Sequence, residues 1–373
     1  MSTLKVNSVV DASGGNTVTV NTYTPTESNM MGKNRIINGD MRIDQRNAGA
    51  SVTITTLNGQ YTLDRWNVNT NQASKVSVQQ STTAPAGFNN SALITSLSAF
   101  SAASGDYFGF VQYVEGFNAA DFGWGTANAQ TVTLSFRVRA SITGTYTVAI
   151  GNSAQARSYV ATFTVNSANT YETKTITIAG DTSGTWLTDS GRGLRMWFDL
   201  GSGSTFNQAS ANTWTASNTL RTSDSVSLVG TNGATFYITG VQLEVGSVAT
   251  PFERRPYGTE LALCQRYYYR LTPGTNAPFA VGGCVSSTET WAVTYFPTTM
   301  RAAPSAIEQS GTAGDYKVFA TSDVTCSAVP SFLNASVNTA RTRFDVASGL
   351  TAGNSIHARA AASTAYLGWS TEL

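Results

Sequence analysis

Thr131-Val132-Thr133-Leu134-Ser135-Phe136-Arg137-Val138-Arg139 alternates at every position. Val132, Leu134, Phe136 and Val138 fall on one side. Thr131, Thr133, Ser135, Arg137 and Arg139 fall on the other. A period of two marks a strand with one face in a core and one face toward water. Comparable runs surround it at Tyr61–Val68, Lys75–Gln79, Phe108–Glu115, Thr145–Ile150, Ser158–Val165, Thr173–Ile178, Leu194–Leu200 and Thr235–Val245. Asn152-Ser153, Gly180-Asp181 and Gly201-Ser202-Gly203 punctuate them as turns. Strands in this number, with no helical stretch between them, predict an all-β antiparallel sandwich of the jelly-roll kind over residues 34–255.

Beyond that region the period changes once. Thr259 to Leu271 follows Pro256 and Gly258 and stops before Pro273-Gly274. Thr259 suits an N-cap and Glu260 the first turn. The spacing predicts a linker helix within residues 256–273. Leu261, Cys264, Gln265 and Tyr268 would share one face, and Leu263, Tyr267 and Arg270 another. A helix apolar on two sides needs two covering surfaces. One is its own domain. The other is either a symmetry mate, which makes the first face a candidate oligomer interface, or nothing more than a connector's bed on one domain. Residues 274–373 carry further strand signals at Phe279–Ser286, Thr290–Phe296, Tyr316–Ala320, Arg343–Val346, Ile356–Ala360 and Ala365–Trp369, the spacing of a second, small β-sandwich. At the other end, Leu4, Val6, Val9, Val10, Val18 and Val20 flank Ser13-Gly14-Gly15-Asn16 in a hairpin-like pattern. A lone hairpin is marginal in water, so residues 1–33 read as an anchoring segment that needs a neighbouring copy or a docking protein. No repeat of fixed period is present.

Composition narrows the function classes. The 373 residues suit two or three domains at about 100–200 residues each. Charged residues make up only 12%, and 23 Lys and Arg against 22 Asp and Glu leave a net charge of +1. That balance excludes broad electrostatic binding to duplex nucleic acid or to an anionic membrane. Neither a secretory leader nor a membrane span is expected, since no apolar run has the length. Cys264, Cys284 and Cys326 are too few and too uneven for a disulfide scaffold. They are expected as buried thiols, with a Cys284–Cys326 bridge as the one pairing left open.

The chemistry of catalysis is poorly supplied. His357 is the only histidine, and its strand-like setting suits an ordinary polar residue. No nucleophile elbow, phosphate-binding loop or zinc spacing occurs. A glycosidase needs only two carboxylates, and Asp106, Glu115, Asp121, Asp181, Asp189 and Asp199 are present, but each also suits a turn or strand end. Loop aromatics are the better lead, because a saccharide packs its C–H faces on a flat ring while amides and guanidinium groups bind its hydroxyls. Trp124 in Asp121-Phe122-Gly123-Trp124-Gly125, Trp186 after Ser183-Gly184-Thr185, and Trp214 after Asn212-Thr213 are the candidate glycan-binding residues; plugging the sandwich ends is the plainer role. Arg42, Asp44, Arg46, Asp64 and Arg65 form the densest charge cluster outside the helix region, expected as structural salt bridges at an interface. No cofactor is expected, save a structural Ca²⁺ for which Asp40 and Glu244 are the candidate ligands.

Several blocks resemble bacteriophage fibre proteins. Leu4-Lys5-Val6-Asn7-Ser8-Val9-Val10-Asp11-Ala12-Ser13-Gly14-Gly15-Asn16 looks like the opening of many such chains, cyanophage ones among them. Asn34-Arg35-Ile36-Ile37-Asn38-Gly39-Asp40-Met41-Arg42-Ile43-Asp44-Gln45-Arg46-Asn47, Thr62-Leu63-Asp64-Arg65-Trp66, and the run from Ile238-Thr239-Gly240-Val241-Gln242-Leu243-Glu244-Val245-Gly246 through Pro251-Phe252-Glu253-Arg254 to Cys264-Gln265-Arg266-Tyr267-Tyr268 are similar to blocks of tail-fibre and virion-fibre sequences. The resemblance implies a virion structural protein with a carbohydrate-binding-like jelly roll, homotrimeric, without catalytic residues. It would dock on another virion protein (tail, baseplate or capsid) through residues 1–33 and meet host surface polysaccharide by multivalent adhesion, without nucleic acid or membrane insertion. It would be made in the host cytoplasm and end in the virion. The rival readings are a capsid or tail decoration fibre with no receptor role, and a virion enzyme that degrades polysaccharide.

Overall fold

The computed structural model describes residues 32–373; the hairpin expected before them lies outside the described residues. The chain is all-β, with one α-helix among the described residues. It divides into two compact units. One holds residues up to Arg42, Ser51–Gln60 and Asn67–Arg254; the other holds Ile43–Ala50, Tyr61–Trp66 and Arg255–Leu373.

The first unit is an antiparallel sandwich of the jelly-roll class. In one sheet Val76–Ser81, Ser91–Ser96, Thr235–Val245, Val132–Ala140 and Glu172–Ile178 lie side by side in that order. The other runs from Trp214–Thr215 through Ser158–Val165, Gly144–Gly151, Arg192–Asp199 and Phe108–Glu115 to Trp66–Thr70. Val132, Leu134, Phe136 and Val138 are buried as their alternation requires. Phe136 meets Phe163 and Phe198 of the opposite sheet edge-on, at 5.0 and 5.2 Å between ring centroids, which places the core between the sheets. The reverse face of this strand is less open than its polar residues suggest. Thr133 is buried and donates its hydroxyl to the Gly246 carbonyl at 2.7 Å, because the chain after Thr235–Val245 crosses that end.

Two sequence blocks meet in this unit. Arg35 N–H donates to the Leu243 carbonyl at 2.9 Å, and Val241 N–H donates to the Gly39 carbonyl at 2.9 Å. Gly39 has to be glycine here, since a Cβ would stand 2.2 Å from the Val241 oxygen. Strand Ser91–Ser96 has no counterpart among the expected strands. Only Ala92, Leu93 and Ile94 signal it, a run too short to tell strand from loop.

The second unit pairs a seven-stranded antiparallel sheet with a three-stranded one, enclosing a core of Phe279, Tyr316, Phe344, Leu367 and Trp369 among others. The helix is shorter than the sequence suggests. It spans Tyr257–Gln265 with Pro256 at its N-cap, and Tyr268–Leu271 is a strand paired with Leu367–Ser370. Three consecutive tyrosines favour a pleated surface over a helix, and Tyr269 stacks on Trp369 at 6.0 Å and 13°. Tyr268 therefore lies on no helix face. Cys264 and Tyr268 are both wholly buried inside the unit, so neither has surface left for a partner chain, contrary to the interface expectation. Leu261 and Gln265 remain half-buried. All three cysteines are free thiols and buried, which removes the Cys284–Cys326 bridge.

Four members of the charge cluster sit in this second unit. Arg46 lies 3.5 Å from Glu372 and 4.0 Å from Asp64, while Arg65 pairs with the other Glu372 oxygen. Their guanidinium groups stack on Tyr268 and Tyr267, each 3.5 Å from the ring centroid. Asp44 accepts the Asn47 and Gly49 amides of its own turn. Arg42 belongs to the first unit and pairs with Asp40 at 3.1 Å.

Candidate functional site

The best-built cleft opens on the first unit, where strands Phe108–Glu115 and Arg192–Asp199 run side by side. Their register sets Trp197 opposite Val111, Arg195 opposite Tyr113, and Asp199 opposite Gly109. Residues directly opposed share a face, so Tyr113, Arg195 and Trp197 turn away from the core that Phe110 and Phe198 enter. Gly109 lets the indole of Trp197 lie across the neighbouring strand: a Cβ there would stand 2.1 Å from the ring. Tyr107 closes one side of that indole at 6.1 Å in an edge contact and itself meets Phe206 at 5.9 Å.

The cleft these rings enclose has a volume of about 340 Å³. Polar groups line its rim. Arg195 donates to Asn218 Oδ1 at 2.6 Å, and Asn218 donates to Gln155 Oε1 at 2.9 Å. Asn69 donates to the Tyr113 hydroxyl at 3.0 Å, and the Tyr107 hydroxyl bonds Asn58. Arg192 stacks on Tyr113, 3.5 Å from its centroid. Two buried donors are left without a protein partner: Trp197 Nε1 and Arg195 Nε. Broad apolar rings, amides that both donate and accept, and unspent donors are what a hydroxylated ring needs for stacking and hydrogen bonding.

Trp124, Trp186 and Trp214 come together in the same unit as one cluster. Trp124 meets Trp186 at 4.8 Å and Trp214 at 5.2 Å, and Trp186 meets Trp214 at 5.5 Å, all edge-to-face. Their indole N–H groups donate to the carbonyls of Gln130, Ser183 and Ala179. The neighbouring glycines serve this packing, since a Cβ on Gly125 would press on the Gly184 carbonyl at 2.6 Å and Trp186 at 3.1 Å. Trp124 is buried, and Trp186 and Trp214 are half-buried. A cavity of about 200 Å³ borders Trp124 and Trp186. The trio therefore spends its rings and its donors largely on itself; in the other cleft the Trp197 ring is 2% exposed, but its N–H is left without a protein acceptor and the rings of Tyr107 and Phe206 are half-buried.

A larger cavity, about 510 Å³, is lined mostly by serines, glycines and Arg221. It has Phe100 as its one ring, and Arg221 is already spent on the carbonyls of Ser202, Thr222 and Ser225. The calcium candidates are also engaged. Glu244 accepts from Gln242 Nε2, Thr250 N and Thr250 Oγ1 at 2.8, 2.9 and 2.6 Å, and Asp40 pairs with Arg42. Among the described residues no three His, Cys, Asp or Glu gather as metal ligands would.

His357 is exposed on strand Ser355–Ala360. The acids weighed for hydrolysis mostly hold turns or pairs: Asp106 accepts from Gln72 and the Ala103 amide, Asp121 and Asp181 pair with Arg35 and Arg157, Asp189 accepts the Gly191 amide, and Asp199 accepts the Gly201 and Ser202 amides.

Sequence reasoning missed Trp197 because Leu194–Leu200 carries apolar residues on both faces, so an aromatic within the strand reads as core. The usable signal was across the strands, in Gly109, over which the Trp197 ring lies, and in Tyr113 opposite Arg195.

No family model matches this chain, and no curated protein does. Solved structures similar to it include the enzymatically active domain of tailspike protein 4 of bacteriophage CBA120, at 12% identity and TM-score 0.31, covering 57% of this chain and 21% of that one. A family 11 carbohydrate-binding module from Clostridium thermocellum, in complex with a β-1,3-1,4-mixed-linked tetrasaccharide, matches at 12% identity and TM-score 0.28, covering 55% of this chain and 100% of the module. The C-terminal family 22 module of Clostridium thermocellum Xyn10B matches at 15% identity and TM-score 0.29, covering 55% and 99%.

Proposed function

We propose that the protein is a glycan-binding subunit of a phage virion fibre, attaching to host surface polysaccharide through the Trp197 cleft. The observation that carries the binding is the Trp197 indole, laid over Gly109 beside Tyr107 and Tyr113, with its N–H unspent and amides at the rim. A pyranose packs on the half-buried Tyr107 and Phe206 rings over the Trp197 floor while Asn58, Asn69 and Asn218 reach its hydroxyls. No covalent chemistry is called for: the cleft binds and releases. The sequence blocks similar to virion fibres and the low-charge surface support the fibre setting. In that setting residues 1–33 dock on another virion protein and the chain works as a homotrimer. Weak single clefts then add through linkage.

Binding of the full chain to a glycan array and to host envelope polysaccharide tests the site. Tyr107→Ala and Trp197→Phe are each expected to weaken binding by about tenfold or more while far-ultraviolet dichroism and the cooperativity of unfolding stay unchanged, since aromatic anchors dominate such contacts. Trp186→Ala is expected to leave binding in place. Unchanged binding in both cleft variants would remove the site from this cleft.

A further inference from the structure

Buried guanidinium groups in this chain are generally given an acid. Arg65 and Arg46 have Glu372, Arg157 has Asp181, and Arg221 has Asp199 at 3.9 Å. Arg195 departs from that pattern. It is only 3% exposed, it lines the Trp197 cleft beside Arg192, and no Asp or Glu is in that lining. Neither arginine has a carboxylate within ion-pair distance among the described residues. Glu115, which stands opposite Arg192 in the strand register, is not within it either. Arg195 spends one N–H on the neutral Asn218 and leaves Nε without a partner. Arg192 holds its guanidinium carbon 3.5 Å from the Tyr113 ring centroid and is half-buried at the cleft.

We propose, resting on the glycan-binding reading above, that this cleft selects acidic saccharides, with Arg192 and Arg195 receiving the anionic group while the sugar ring packs on Tyr107 and Phe206 over the Trp197 floor. An unpaired cation held out of water is costly. A carboxylate or sulfate ester offsets that cost with charge-assisted hydrogen bonds, and the planar guanidinium fits either group. A neutral hydroxyl recovers only part of it. Burial pulls Arg195 down to about 10, with Tyr113 opposing and Arg192 adding to the fall. It thus stays charged at neutral pH, in a site already too positive for its own comfort. The shared feature of the ligand is a ring-borne anion; uronic acids carry it as carboxylate and sulfated glycans as sulfate.

Calorimetric titration of the full chain tests this with matched probes. Oligogalacturonate is compared with its carboxyl-reduced form, and a sulfated oligosaccharide with its desulfated form; xylohexaose and mannohexaose serve as plain neutral probes. At least one acidic probe is expected to bind about tenfold or more tighter than its neutral twin, with the gap closing as salt rises. Which pair shows the gap distinguishes carboxylate from sulfate. Arg192→Gln, at a half-buried position, is expected to shrink the gap, and Arg195→Lys, which keeps the charge but loses the fork, is expected to shrink it too. Equal affinity within both pairs, a gap that survives in both variants, or binding of neutral probes alone would overturn acid selection and leave the glycan reading standing. Binding of no probe, acidic or neutral, would overturn both.

Discussion

Asp64 shows what burial does to a single acid in a chain with few charges. It accepts from the Gln45 backbone and side chain and lies near Arg46, yet burial outweighs these and pushes it up to about 6. The folded unit therefore holds this proton more tightly than the unfolded chain does. The stabilisation is fully present below the unfolded value near 3.8 and is lost as pH rises through about 6. We predict that the advantage of the parent over Asp64→Asn in unfolding free energy shrinks by up to about 3 kcal/mol between about pH 4 and about pH 7. A difference independent of pH would contradict that. Asp64 was legible as part of a structural network. Glu372, which bridges Arg46 and Arg65, was not, because nothing in a terminal Thr371-Glu372-Leu373 signals a buried ion pair.

The strands with clean period two, Val132–Ala140 and Ser158–Val165 among them, were legible almost to the residue, since one face enters a core. Stretches with apolar residues on both faces gave existence but not direction: Leu194–Leu200 was recognisable as a strand, while its second face, carrying Arg195 and Trp197, belongs to a cleft. The segment 259–271 was harder still. Leu261, Cys264 and Tyr268 repeat at a spacing that fits a helix, but edge pairing with Leu367–Ser370 decides the conformation of Tyr268–Leu271. That partner lies about a hundred residues away, and local propensity carries no information about it. Deleting residues 258–271 would consequently remove part of the second unit's own sheet and core, not just a surface helix. The loop tryptophans were legible as a set but not in their roles. Their glycines accommodate close ring packing, as the Gly125 geometry shows, and glycines beside an aromatic residue look the same in sequence whether the ring meets a ligand or another ring.

Near-neutral net charge leaves little long-range steering, so attachment in this account depends on short-range stacking, the two cleft arginines and valency. The fibre proposal fixes that valency at three. Light scattering behind a sizing column is expected to give a mass of about three protomers; a monomer at all concentrations would remove the trimer, and with it the gain from linkage. Cys264 and Tyr268 cannot form that interface, being buried within their own unit. The central claim, that a saccharide is held in the Trp197 cleft, is tested most directly by the indole N–H resonances of the seven tryptophans in the ¹⁵N-labelled full chain, assigned by single Trp→Phe variants and followed while an oligosaccharide that binds is titrated in. The account predicts a saturable shift of the Trp197 resonance, whose N–H has no protein acceptor, with those of Trp124, Trp186 and Trp214 nearly still. Shifts confined to those three, with Trp197 unmoved, would contradict it.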